Sequence, residues 1–132
     1  MKIGDYNYRA RKLNAFEQFS IARKLAPILE FMSQQPDREK LRVNFAKFFC
    51  AVTANIPEED TRKLINTCLD AAQRQQQANW VPVMVNGTTM FADVNEDLNV
   101  MLDIVYMVLA DTGLIDFFAE RPLPSQETGE KR

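Results

Sequence analysis

Apolar residues in the first third of the chain recur at helical spacing. Ile21, Leu25, Ile28, Leu29 and Met32 share one stripe, and Ala15, Phe19, Ala22 and Ala26 lie beside it. A face this broad predicts a helix to about Met32 that is wider in its apolar coverage than a surface helix needs. Asn14 stands where an N-cap belongs, with Glu17 three residues later able to reach back to it. Pro27 falls inside the pattern and removes one main-chain hydrogen bond, so a bend is expected there rather than an end. After the break at Gln34-Gln35-Pro36-Asp37, with Pro36 placed to open the next helix, Leu41, Phe45, Phe48 and Val52 recur at helical spacing, widened by Phe49. Ile56-Pro57-Glu58-Glu59-Asp60 opens a third helix, its acidic first turn matched to the positive end of the helix dipole. Leu64, Ile65, Cys68, Leu69 and Ala72 form the stripe of that helix.

Other segments follow a different period. Tyr6 to Leu13 alternates loosely and is aromatic-rich, which predicts a short strand, placed at a sheet edge by its charges. Gln73 to Asn79 is polar and glutamine-rich and reads as a fraying helix end or a linker. Trp80 to Val85, then Asn86-Gly87, then Thr88 to Phe91 predicts a β-hairpin, because Asn-Gly supplies the positive φ angles of a type I′ turn. Pro82 has no N–H for a ladder, which puts it on an edge or near the strand start. Pairing of this hairpin with the 6–13 strand would make a three-stranded antiparallel sheet. Asn95 or Asp93 is expected to cap the last long helix, where Leu98, Met101, Leu102, Val105, Val108 and Leu109 give the strongest helical pattern in the chain. Gly113 is its natural stop, and Leu114 to Phe118 offers a short apolar segment beyond it.

These elements predict an α+β fold, predominantly α-helical, with about four to five helices and a small hairpin. Residues 1–120 are expected to form a single helical domain with an N-terminal strand and the central hairpin at 80–91. From Arg121 the residues have little to bury, and 121–132 is expected to be a disordered tail.

The composition narrows the function. The chain has 132 residues with 46% hydrophobic and 26% charged positions, the balance of an ordinary globular domain. No stretch approaches the roughly 20 apolar residues needed to cross a bilayer, and the N-terminus has no apolar run of the signal-peptide kind, so a cytoplasmic location is expected. There is no histidine. That removes the commonest general base, the His-activated nucleophiles and the commonest metal ligand, and it points away from an enzyme. Cys50 and Cys68 sit among apolar residues in predicted helices, form no Cys-x-x-Cys pair, and are expected to stay reduced.

The net charge is −2, but it is unevenly spread. Lys2, Arg9, Arg11, Lys12, Arg23 and Lys24 face only Asp5 and Glu17 within the first 24 residues, a local balance of +4 that leaves −6 for the remainder. A solvated basic strand and helix face is the plain explanation, and a partner-facing patch the other.

Asp93-Val94-Asn95-Glu96-Asp97-Leu98-Asn99 has the opening of a calcium loop, but the glycine and the final bidentate carboxylate that such a loop needs are replaced by Leu98 and Ile104. The acidic groups at 58–60 and 96–97 suit helix starts, and Asp103 is expected on a solvated stripe with Asn99 and Glu96. No glycine-rich phosphate loop is present. No cofactor, metal or catalytic residue is therefore assigned. The apolar surplus is more informative: Phe16, Phe31, Trp80, Leu114, Phe117 and Phe118 lie off the main stripes or at element ends, and together they are the expected partner-binding residues.

The run Tyr8-Arg9-Ala10-Arg11-Lys12-Leu13-Asn14-Ala15-Phe16-Glu17-Gln18-Phe19, continued by Ala22-Arg23-Lys24-Leu25-Ala26-Pro27-Ile28-Leu29, resembles the N-terminal part of a bacteriophage tail assembly chaperone family. A hairpin around Asn86-Gly87 and Glu96-Asp97-Leu98 opening an apolar helix agree in outline, so the resemblance reaches about Phe118. It implies a non-catalytic protein that works in the cytoplasm of the infected bacterium. Its expected partners are the tape-measure protein, which it would keep soluble, and the tail-tube protein that polymerises around it. The resemblance assigns no functional residues. A tail-completion or connector subunit of the virion is the alternative. A small nucleic-acid-binding regulator using Arg9, Arg11, Lys12, Arg23 and Lys24 is a third reading, disfavoured by the acidic remainder.

Overall fold

The computed structural model describes residues 1–119, so the expected tail at 121–132 lies outside the described residues. Two short strands open the chain, β1 (Lys2–Ile3) and β2 (Tyr6–Ala10), joined through Gly4 at φ +60°. The first helix, α1 (Ala15–Ser33), starts on the expected capping box: Glu17 N–H donates to the Asn14 side chain at 2.9 Å and Asn14 N–H to Glu17 Oε1 at 3.0 Å. The helix is not divided at Pro27. Its inward residues are Ile21, Leu25, Ile28, Leu29 and Met32, as the stripe requires.

The second predicted helix is in fact two, α2 (Arg38–Val43) and α3 (Phe45–Val52). Asn44 separates them at φ −100°, ψ 6°, its side-chain amide donating to Lys40 O at 3.0 Å. A side-chain donor of this kind competes with the helical ladder. Asp37 caps α2, with Lys40 N–H donating to its carboxylate, so Pro36 lies just ahead of the cap instead of inside the helix. The third predicted helix, α4 (Glu58–Asp70), ends two residues before Ala72.

Ala72 instead begins a strand. The glutamine-rich segment expected as a helix end or linker forms β3 (Ala72–Gln76), which turns through Gln77 at φ +57° into β4 (Asn79–Pro82). The sheet order is β1-β2-β3-β4, all antiparallel. Strand β2 is therefore interior rather than at an edge, because Lys2–Ile3 folds back and covers its outer side. Its inner neighbour is β3, not the hairpin. Register explains why β3 escaped the pattern. Gln73 and Gln75 lie opposite Arg9 and Trp80 on the outer face, while the inward positions are Ala72 and Arg74, so no apolar alternation appears.

The predicted 80–91 hairpin is correspondingly shorter. Asn86 (φ 51°) and Gly87 (φ 78°) make the expected turn, but they join only β5 (Met84–Val85) and β6 (Thr88–Thr89). Trp80 and Val81 pair backward with β3 instead. Val83 links the two ladders, donating to Ala72 O and accepting from Met90 N–H. Pro82 does occupy an edge strand.

A short helix, α5 (Ala92–Glu96), precedes the long apolar one, α6 (Leu98–Asp111). The cap of α6 is Asp97, not Asn95 or Asp93; its carboxylate accepts from Asn99 and Val100 N–H. Leu102 and Ile104 to Leu109 are buried, which makes α6 the centre of the core. Helices α3 and α4 and strand β2 pack around it, with α7 (Leu114–Phe117) following a left-handed Gly113 at φ +82°. The fold is α+β and predominantly helical, with seven helices among the described residues where four to five were expected.

Candidate protein-binding groove

Helix α1 turns its stripe into the core and leaves Phe31 outside it, 46% exposed. Helix α3 sends Phe45 and Phe49 inward and leaves Phe48 half-buried against the edge of the core. The two rings meet across the helices at 4.9 Å between centroids and 24° between planes, a stacked pair. A stacked pair is favourable beyond its buried area, so the half-buried Phe48 ring holds that of Phe31 at the surface.

The pair divides a surface groove. On one side a hollow is bounded by Pro36, Leu41 and Lys40; on the other a second hollow is bounded by Pro27, Ile28, Val52 and Ile56, with Lys24 at its edge. The lining is mainly apolar, with Gln35, Asp37, Lys40 and Asn44 in the first hollow and Asn55 and Lys24 in the second, Lys24 being tied to Asp60 at 3.6 Å. Pro27 contributes an exposed ring and no N–H, so this part of α1 presents carbon to solvent. Such a surface can hold an apolar side chain or helix face.

The other expected partner residues do not assemble with Phe31. Phe16 is 86% exposed but lies about 22 Å away along the α1 axis, fifteen residues earlier. Trp80 is half-buried on the outer face of the sheet under the Arg9 guanidinium, 4.5 Å from its ring centroid. Phe117 is 66% exposed on α7, edge-on to Phe118, which is half-buried against the core. Leu114 is 3% exposed: the left-handed turn at Gly113 points α7 back onto α1, and its first side chain enters the core. It is not available to a partner. Phe19, placed beside the apolar stripe by its spacing, is 66% exposed, and Phe48, placed by its spacing on the stripe with Leu41, Phe45 and Val52, is half-buried beside Phe31.

The charged residues form local structure. Arg11 makes a forked contact with Glu17 (3.2 and 2.9 Å) and reaches Asp70 at 3.2 Å. The Arg11 guanidinium, opposed by partial burial, holds the Glu17 carboxyl below its ordinary range. Arg74, unremarked in the sequence, is buried. Its guanidinium lies 3.3 Å from the Tyr6 ring centroid and 4.1 Å from that of Phe91, and Nη1 donates to Asp93 Oδ1 at 2.8 Å. Asp93 thus serves Arg74 and Asp97 caps α6, which accounts for two carboxylates of the calcium-like run. Asp103 is half-buried rather than solvated, and burial raises its carboxyl against the pull of Arg42. Cys50 is exposed and Cys68 buried, both as free thiols; the expectation of two cysteines packed among apolar residues holds only for Cys68.

Among the described residues, no group of three or more His, Cys, Asp or Glu side chains is placed to hold a metal. No helix among them is long and apolar enough to cross a membrane.

Comparison with curated proteins and with solved structures gives no match. The family described as phage tail assembly chaperone protein, TAC, matches residues 4–125, nearly the whole length. That span includes every strand and helix from β2 onward, the groove across Phe31 and Phe48, and the residues on which the sequence resemblance rested. The chain belongs to the phage tail assembly chaperone family.

Proposed function

We propose that the protein is a non-catalytic chaperone that holds an apolar helical segment of the tape-measure protein in the groove across Phe31 and Phe48. It keeps that client soluble in the cytoplasm of the infected bacterium until tail-tube subunits assemble around it. The supporting observation is the stacked Phe31–Phe48 pair, an exposed ring seated on a half-buried one between two hollows. An amphipathic helix laid in such a groove would place apolar side chains at i, i+3, i+4 and i+7 into the hollows. The family supplies the setting in tail assembly. A long helical client whose apolar face has no partner before assembly is the kind of protein that needs such cover.

The test is co-expression with a phage tape-measure protein followed by affinity capture. The expected result is a soluble complex that Phe31→Asp weakens by more than about tenfold, as loss of a central aromatic anchor does, while the far-ultraviolet circular dichroism stays unchanged. A client that stays insoluble, or a complex indifferent to Phe31→Asp, overturns the proposal. Mass spectrometry of purified virions separates it from the structural-subunit alternative, since a chaperone leaves before the particle is complete.

A further inference from the structure

We propose that a second copy of this chain covers the surface that begins at Phe16, in a two-fold symmetric dimer. Phe16 and Phe19 stand on the exposed side of α1 at 86% and 66% exposure, with Arg23 one turn further along the same stripe. They form a convex apolar knob with a cation beside it. Adjoining it is a hollow of about 760 Å³ between α4, the β5–β6 hairpin and the start of α6. Its lining mixes apolar side chains, Met84, Met90, Phe91 and Met101 among them, with polar ones, and it holds Glu96 and the Glu58–Arg62 pair. Met90 is 52% exposed. The two features are continuous: the smaller hollow beside Phe16 is bounded by Met84 and Gly87, which also bound the large one.

Knob and hollow lying side by side on one face is the arrangement that a two-fold axis uses. In an isologous dimer the knob of each copy enters the hollow of the other, and every contact is made twice. Methionine side chains are unbranched and polarizable, so they adapt around an aromatic ring. With Glu58 paired to Arg62, Glu96 leaves the hollow with a net negative charge opposite to that of Arg23. Arg23 has no ion-pair partner among the described residues, and neither does Glu96. The surface is separate from the groove across Phe31 and Phe48, so dimer formation and client binding do not compete for the same side chains.

Sedimentation equilibrium of the full chain at rising concentration tests this. The expected result is a dimer for the native chain and monomers for Phe16→Lys and for Met90→Glu, each with unchanged circular dichroism. Both positions are exposed, so neither change removes a core side chain. Mixing Phe16→Lys with Met90→Glu is expected to restore a dimer, because one interface contact is then native and the other joins lysine to glutamate. Phe31→Asp is expected to leave the dimer intact. A native chain that stays monomeric, a dimer that survives both changes, or a mixture that fails to associate overturns the proposal.

Discussion

Arg74 Nη1 lies 2.8 Å from Asp93 Oδ1, and this one bond ties the middle of the sheet to the start of α5. The Arg74 side chain is 7% exposed and that of Asp93 44%. Tyr6 and Phe91 hold the guanidinium between their rings, and Tyr8 Oη sits 3.4 Å from Nη1. Burial lowers the Arg74 pKa, but Asp93 and Tyr8 more than offset it, so the cation is retained. Removing Asp93 strands a buried charge, which is costlier than removing both partners. Asp93→Ala is expected to destabilise the fold by about 1–3 kcal/mol in urea denaturation. The double variant Arg74→Met with Asp93→Asn is expected to recover most of that loss; a double variant weaker than Asp93→Ala would show that the guanidinium contributes chiefly through the two rings.

The Arg11–Glu17 pair makes the N-terminal cap of α1 sensitive to acid. Glu17 accepts from Arg11 and from Asn14 N–H, and its folded pKa lies below the ordinary value. A carboxylate with a depressed folded pKa contributes stability above its unfolded pKa and loses it as the pH falls through the folded one. Glu17→Gln is therefore expected to lower the melting temperature at neutral pH and to have progressively less effect below about pH 4. Asn14→Ala, which removes the other half of the cap, is expected to cost about 1 kcal/mol at any pH. Melting curves of both variants across this range check the sign, and a Glu17→Gln effect that persists at low pH would contradict the assignment.

The two thiols differ in reactivity because they differ in burial. Burial pushes the Cys68 pKa up to about 12, whereas Cys50 is exposed. The thiolate is the reactive form, so the native protein is expected to titrate one thiol with a disulfide reagent and two after denaturation. Cys50→Ser should abolish the native reaction. Equal, rapid modification of both thiols in the folded chain would show that α4 opens far more readily than its packing against α6 implies.

Features written within a few residues of each other are legible along the chain. Asn14 and Glu17 set the start of α1, Asn86-Gly87 the type I′ turn, Gly113 the end of the long helix, and the periodic stripe the inward face of α1. Each depends on local backbone geometry or on helical spacing, so no distant partner is needed to read it. In α6 the stripe's Leu98 is exposed while Ile104, Tyr106 and Met107, off the stripe, are buried. Features that depend on residues far apart in the chain are not legible in that way. The glutamines of β3 became a central strand only because Tyr6–Ala10 runs alongside them. Arg74 was buried because Tyr6 and Phe91 enclose it and Asp93 meets its charge. The aromatic surplus was visible in the sequence, but its division was not. Leu114 went inward because Gly113 turns α7 onto α1, Phe31 stayed outward on Phe48, and Phe16 was left bare beside the methionine-lined hollow. Which apolar side chain is covered is a property of the neighbours that folding brings to it, and spacing along a single helix does not carry that information.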